Sequence, residues 1–131
     1  MQLEFMDFDF SDAKKNAQSM PQGINTNIDL VNAEVEKDTM NVKFIYTATY
    51  APHNSYIRIG GKAIFSGKEV KQAFEEWKKT KRITGVAGEY MVNMINYSAS
   101  INAVFIARVF NMTPPIMPPT IKFEAPLVKK K

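Results

Sequence analysis

The sequence predicts an α+β fold: a four-stranded antiparallel meander sheet followed by a short amphipathic helix and a long apolar helix. Three observations carry this. Apolar and polar residues alternate through the first half of the chain, turn signals cut that half into four runs, and the apolar period then changes to that of a helix. The chain has 131 residues, of which 45% are hydrophobic and 23% charged, enough for one domain with one small core. We place a single domain over residues 1–125 and a basic tail over 126–131.

The first strand is expected over residues 2–10, where Leu3, Phe5, Phe8 and Phe10 are interleaved with acids. A polar stretch with Pro21 and Gly23 separates it from a second run over 24–36, which puts Ile24, Ile28 and Leu30 on one face and Val31, Ala33 and Val35 on the other. Glu36-Lys37-Asp38 is a turn, and Val42, Phe44, Tyr46, Ala48 and Tyr50 mark the third strand. Pro52-His53-Asn54 makes a hairpin-like turn into a fourth strand from Tyr56 to Phe65, in which Gly60-Gly61 reads as a bulge or kink.

The helical half opens with Ser66 and Glu69 in capping-box spacing, followed by Val70, Ala73, Phe74 and Trp77 on one face. This predicts a helix over about 68–81 that ends near Thr84-Gly85, with Lys71, Lys78 and Lys79 solvated and Glu75 paired to Lys79. The second helix, over about 88–112, confines Glu89, Asn93, Asn96, Ser100 and Asn111 to a narrow polar stripe. Its remaining circumference is apolar and includes Met91, Met94, Ile101, Phe105, Val109 and Met112. One sheet can cover only one side of such a helix, so another subunit or a client is expected on the other. Ile101, Phe105 and Val109 are the candidate oligomer interface.

Composition and spacing argue against several function classes. No cysteine is present, which excludes disulfides, thiolate metal sites and cysteine nucleophiles and fits a cytoplasmic setting. Acids near the N-terminus and the lack of a membrane-length apolar run predict a protein that is neither secreted nor membrane-inserted. The net charge of +4 divides into −5 over residues 1–40 and +9 over 41–131, part of it the terminal Lys129-Lys130-Lys131, and no nucleic-acid-binding motif accompanies it. His53, the single histidine, has no carboxylate or cysteine at ligand spacing. Asp7/Asp9 and Glu34/Glu36 are acids on the wet side of strands, and Gly60-Gly61 lacks the lysine and hydroxyl of a phosphate loop. No enzyme activity, cofactor or metal is expected.

Beyond the long helix stands Met112-Thr113-Pro114-Pro115-Ile116-Met117-Pro118-Pro119-Thr120-Ile121-Lys122-Phe123-Glu124-Ala125, too rich in proline for a helix. This segment resembles the proline-rich loop after the long helix of SecB export chaperones. Ala63-Ile64-Phe65-Ser66 resembles the end of that family's fourth strand, Asn96-Tyr97-Ser98-Ala99 its aromatic position in the long helix, and Gln2 to Phe10 its first strand. The resemblance is collinear over residues 2–125. It implies an ATP-independent holdase, a dimer of dimers that captures unfolded polypeptides on apolar grooves, in protein export or in control of a toxin–antitoxin pair. A dedicated interaction module of the same fold, such as a toxin–antitoxin chaperone, is the alternative. The candidate client-binding residues are Tyr46, Tyr56, Met94, Tyr97, Ile116, Met117, Ile121 and Phe123, large apolar or flexible side chains suited to varied partners. Two departures stand out. Ala125-Pro126-Leu127-Val128 runs straight into lysines where the family has a C-terminal helix, so that helix is expected to be missing. Arg58 and Lys62 stand on the strand where export members present acids, which argues against docking to the translocation motor.

Overall fold

In a computed structural model that describes residues 1–16 and 21–115, the alternating half of the chain forms β1 (Gln2–Lys14), β2 (Gly23–Glu36), β3 (Thr39–Ala51) and β4 (Ser55–Ser66). All neighbours are antiparallel and the order across the sheet is β1-β4-β3-β2. The meander therefore runs over β2, β3 and β4, while β1 lies beside β4 rather than beside β2. Just past β1, Asn16 lies against the β3–β4 turn. There the Asn16 side-chain amide donates to the carbonyls of His53 and Asn54 at 3.1 Å each, and its backbone N–H donates to Ser55 Oγ at 2.8 Å.

One face of this sheet is the core. Met40, Val42, Phe44, Tyr46, Ala48 and Tyr50 of β3 stand opposite Phe65, Ala63, Gly61, Ile59, Ile57 and Ser55 of β4, all buried. Bulges decide what the edge strands add to that face. In β2 a register shift between Leu30 and Asn32 resets the alternation, so Ala33 and Val35 join Ile24, Ile28 and Leu30 on the core face. Only Val31 is left exposed. The two-faced reading of this strand is thus corrected: apolar residues on both parities serve one face. In β1, shifts between Leu3/Phe5 and Phe8/Phe10 direct Leu3, Met6 and Phe8 inward, and Phe5 and Phe10 remain exposed outside.

Gly60-Gly61 is not itself the bulge, because β4 is continuous and the irregularity sits opposite, in β1. A Cβ on Gly61 would collide with the Asp7 carbonyl oxygen and lie 2.9 Å from the Phe8 Cα, so the missing side chain is what lets β1 close against β4. Phe8 then packs edge-on to Phe44 at 5.8 Å between ring centroids.

The helical half forms α1 (Val70–Thr80) and α2 (Gly85–Val109). The expected capping box does not form. Ser66 remains in β4 and its hydroxyl donates to Glu4, while Glu69 is itself the N-cap residue and pairs with the Met1 ammonium at 3.1 Å. α1 stops before Thr84, because Lys81 turns left-handed and donates its N–H to the Trp77 carbonyl. Thr84 instead begins α2, its N–H and hydroxyl both donating to Glu76 Oε2, at 3.1 and 2.6 Å. Glu75 pairs with Lys78 at 3.8 Å rather than with Lys79.

Val70, Ala73 and Trp77 seat α1 on the β2–β3 end of the core face with Met40, Val42 and Phe65. α2 crosses the sheet over β4. Met91 and Ile95 join that first cluster, and Ala99, Ala103 and Ala107 lie over Tyr46, Ala48, Tyr50, Ile57 and Ile59 in a second one. Gly61→Ala should destabilise the fold by about 1–3 kcal/mol through backbone overpacking, read as a lowered denaturation midpoint in the fluorescence of Trp77, the single tryptophan.

Candidate functional site

The sites that chemistry could use are few. Among the described residues no group of three or more histidine, cysteine, aspartate or glutamate side chains could hold a metal ion, and no helix is long and apolar enough to cross a membrane. His53 is exposed in the β3–β4 turn. What the fold does present is one side of α2.

A residue in an α-helix advances 100°, so side chains two positions apart point in nearly opposite directions. Ala99, Ala103 and Ala107 face the sheet and are buried. Tyr97, Ile101, Phe105 and Val109, each displaced by two, face away, with exposures of 65%, 46%, 60% and 79%. Phe110 continues the stripe at 40%. Small residues inside and large residues outside are the reverse of an ordinary amphipathic helix. The apolar arc expected from the sequence is therefore present and exposed, with nothing packed over it among the described residues, and the candidate interface residues Ile101, Phe105 and Val109 all lie on it.

The polar stripe expected along α2 is broken by Asn96, which is buried with Oδ1 lacking a hydrogen-bond partner among the described residues. Asn111 lies past the helix, in a left-handed conformation that turns the chain back toward the sheet. There Met112 packs on the second core cluster, Pro115 is fully buried, and the Tyr50 hydroxyl donates to the Thr113 carbonyl at 2.5 Å.

The four residues expected to form one wall of a client groove are not brought together. Tyr46 is fully buried on the core face beneath α2, where burial and the neighbouring Tyr50 hold its hydroxyl up to about 12. Tyr56 is on the opposite face of the sheet, its hydroxyl donating to Asp12 at 3.1 Å. Only Met94, half-buried, and Tyr97 share the helix with the exposed stripe. Ile116, Met117, Ile121 and Phe123 lie outside the described residues.

The outer sheet face carries a separate cluster that sequence reading missed. Arg58 bonds Asp12 at 2.6 Å, and its guanidinium lies 5.1 Å from the Tyr56 ring centroid and 5.9 Å from that of Phe10. The guanidinium holds the Asp12 carboxyl below its ordinary range. Cross-strand register between β1 and β4 was the missing signal, since Asp12 and Arg58 are paired positions 46 residues apart.

No family model matches the sequence, and no curated protein or solved structure is significantly similar to the chain.

Burial also pushes the Tyr50 hydroxyl up to about 12, from an ordinary value of 10.0. Both buried tyrosines stay protonated in the folded chain while the unfolded chain ionises near 10. Their contribution to stability is fully present below pH 10 and lost as pH rises from there through about 12. Denaturation midpoints should fall across that window, and Tyr46→Phe combined with Tyr50→Phe should flatten the fall.

Proposed function

We propose that this chain is a SecB-like, ATP-independent holdase that acts as a homo-oligomer and captures unfolded polypeptides on apolar surface. The observation that carries the reading is the uncovered stripe of Tyr97, Ile101, Phe105 and Val109 on α2. A polar fold that leaves four large apolar side chains in line along one helix has surface built to be covered by protein. In this reading a second copy covers the stripe around Ile101, Phe105 and Val109, and clients take the end around Met94 and Tyr97. Clients displace water from these side chains at roughly 25 cal/mol per Å² before the cost of ordering is subtracted. The aromatic and thioether side chains suit partners of varied shape. The Asp12 carboxylate already satisfies Arg58 on the outer face, which supports a holdase acting without docking to an export motor.

An aggregation-suppression assay with several unrelated unfolded proteins tests the activity. Protection should be equal with ATP and magnesium or with a chelator, and a reproducible ATP requirement would overturn the mechanism. Ile101→Asp or Phe105→Asp should dissociate the assembly by native mass, because a charge on the seam would be buried without a partner. Since both positions are exposed in the single chain, the secondary structure should persist. Met94→Ser with Tyr97→Ser should weaken client capture by about 1–3 kcal/mol, the scale of removing two partly buried apolar side chains, with native mass unchanged.

A further inference from the structure

We infer that the corner between α1 and α2, residues 78–86, docks on the surface of an anionic lipid bilayer. The inference uses none of the stripe residues of α2 and does not depend on the chaperone reading.

Charge is concentrated at this corner. Lys78, Lys79, Lys81 and Arg82 are all exposed, and no acid follows them until Glu89. Lys78 and Lys79 close the last turn of α1, where cations complement the helix dipole and need no further explanation. Lys81 and Arg82 lie past that turn and have no such role. The nearby acids are already engaged: Glu75 lies 3.8 Å from Lys78, and Glu76 accepts both bonds from Thr84. Among the described residues Lys79, Lys81 and Arg82 have no carboxylate partner.

The corner is also fixed from below. Ile83 is buried in the first core cluster. The Lys81 N–H is given to the Trp77 carbonyl at 2.7 Å, and the Arg82 N–H to the Thr80 hydroxyl at 3.2 Å. The cations are therefore displayed on a backbone with little order left to lose on docking. Just after them comes Val86, 85% exposed, the most exposed large apolar side chain described.

Cations beside one protruding aliphatic group match a bilayer surface. Headgroup phosphates take the charges, and the aliphatic group enters the interface. Single-stranded nucleic acid fits less well, because it is gripped by stacking on open aromatic rings. The two rings here are covered. The Lys81 ammonium lies over Trp77 at 4.0 Å from its ring centroid, and that of Lys78 over Phe74 at 5.5 Å. An acidic peptide needs a groove or a sheet edge to hold it, and a turn between two helices supplies neither.

Co-sedimentation of the full chain with phosphatidylcholine vesicles carrying phosphatidylglycerol should show binding that high salt removes. Pure phosphatidylcholine vesicles should retain little, and equal retention overturns the inference. Trp77, the single tryptophan, lies against Lys81, so its emission should shift only with the anionic vesicles. Lys79→Gln with Arg82→Gln should lower the partition constant about 25-fold, roughly fivefold for each cation near an anionic surface. Lys43→Gln with Lys62→Gln removes the same charge from paired positions on the outer sheet face and should cost far less. None of these four side chains belongs to the core clusters, so thermal midpoints should hold. Equal losses in the two pairs rule the corner out, because overall charge or Lys129-Lys130-Lys131 then carries the binding. Val86→Ser should weaken vesicle binding severalfold. If that variant binds as tightly as the unaltered chain, the corner reads charge alone, as a nucleic-acid site does, and the bilayer is excluded.

Discussion

The distribution of side-chain size around α2 determines how the rest of the molecule can be arranged. Ala99, Ala103 and Ala107 are small enough to set the helix close over β3 and β4, where the sheet supplies the bulk through Tyr46, Tyr50, Ile57 and Ile59. Packing volume is thus conserved across the interface, with large residues below and small ones above. The inner core is complete without Tyr97, Ile101, Phe105 or Val109. These residues are apolar for a reason that lies outside the chain's own core, and the proposed chaperone activity and assembly both rest on that excess.

The sheet meets the same problem with different means at each level. Its core face must present apolar residues along strands of 12 to 14 residues, and the central strands β3 and β4 do so by unbroken alternation. Bulges in β1 and β2 shift the parity part-way, so each edge strand serves the core along most of its length. The closeness of β1 to β4 depends in turn on Gly61, where a side chain would occupy the path of the Asp7–Phe8 backbone. Among the described residues the outer face carries no second layer and relies on cross-strand pairs, of which Asp12 with Arg58 is the ion pair. Screening by water limits what such an exposed pair adds to stability, and its value lies in register.

The two ends of the core are closed by hydrogen bonds from chain segments distant in sequence. At one end Tyr90 of α2 holds Leu3 of β1 and packs against Phe65, with Glu69 on the Met1 ammonium beside it. At the other, Tyr50 holds Thr113 just beyond α2, and Lys15 donates to the Asn111 carbonyl at 3.3 Å. α2 is consequently fixed at both ends over the sheet.

By itself the sequence determined the element types and their order, because the period of apolar residues and the turn residues act locally. The four strands, the turns at Lys37 and at Pro52-His53-Asn54, and both helices are in place, with helix ends displaced by a few residues. The excess apolar surface of the long helix was legible for the same reason: its circumference holds more large apolar side chains than one sheet can cover. What the sequence left open was every relation between distant segments. That β1 joins β4, that Val31 is extruded so Ala33 and Val35 can turn inward, and that Asp12 meets Arg58 all follow from register. Register is set by the fit of whole strands and leaves no local mark. The same limit scattered the expected client wall. Tyr46, Tyr56 and Tyr97 are alike as side chains, and only the tertiary structure decided that the first is core, the second belongs to the outer face and the third is exposed, because pleat parity and helix rotation assign each to a different surface.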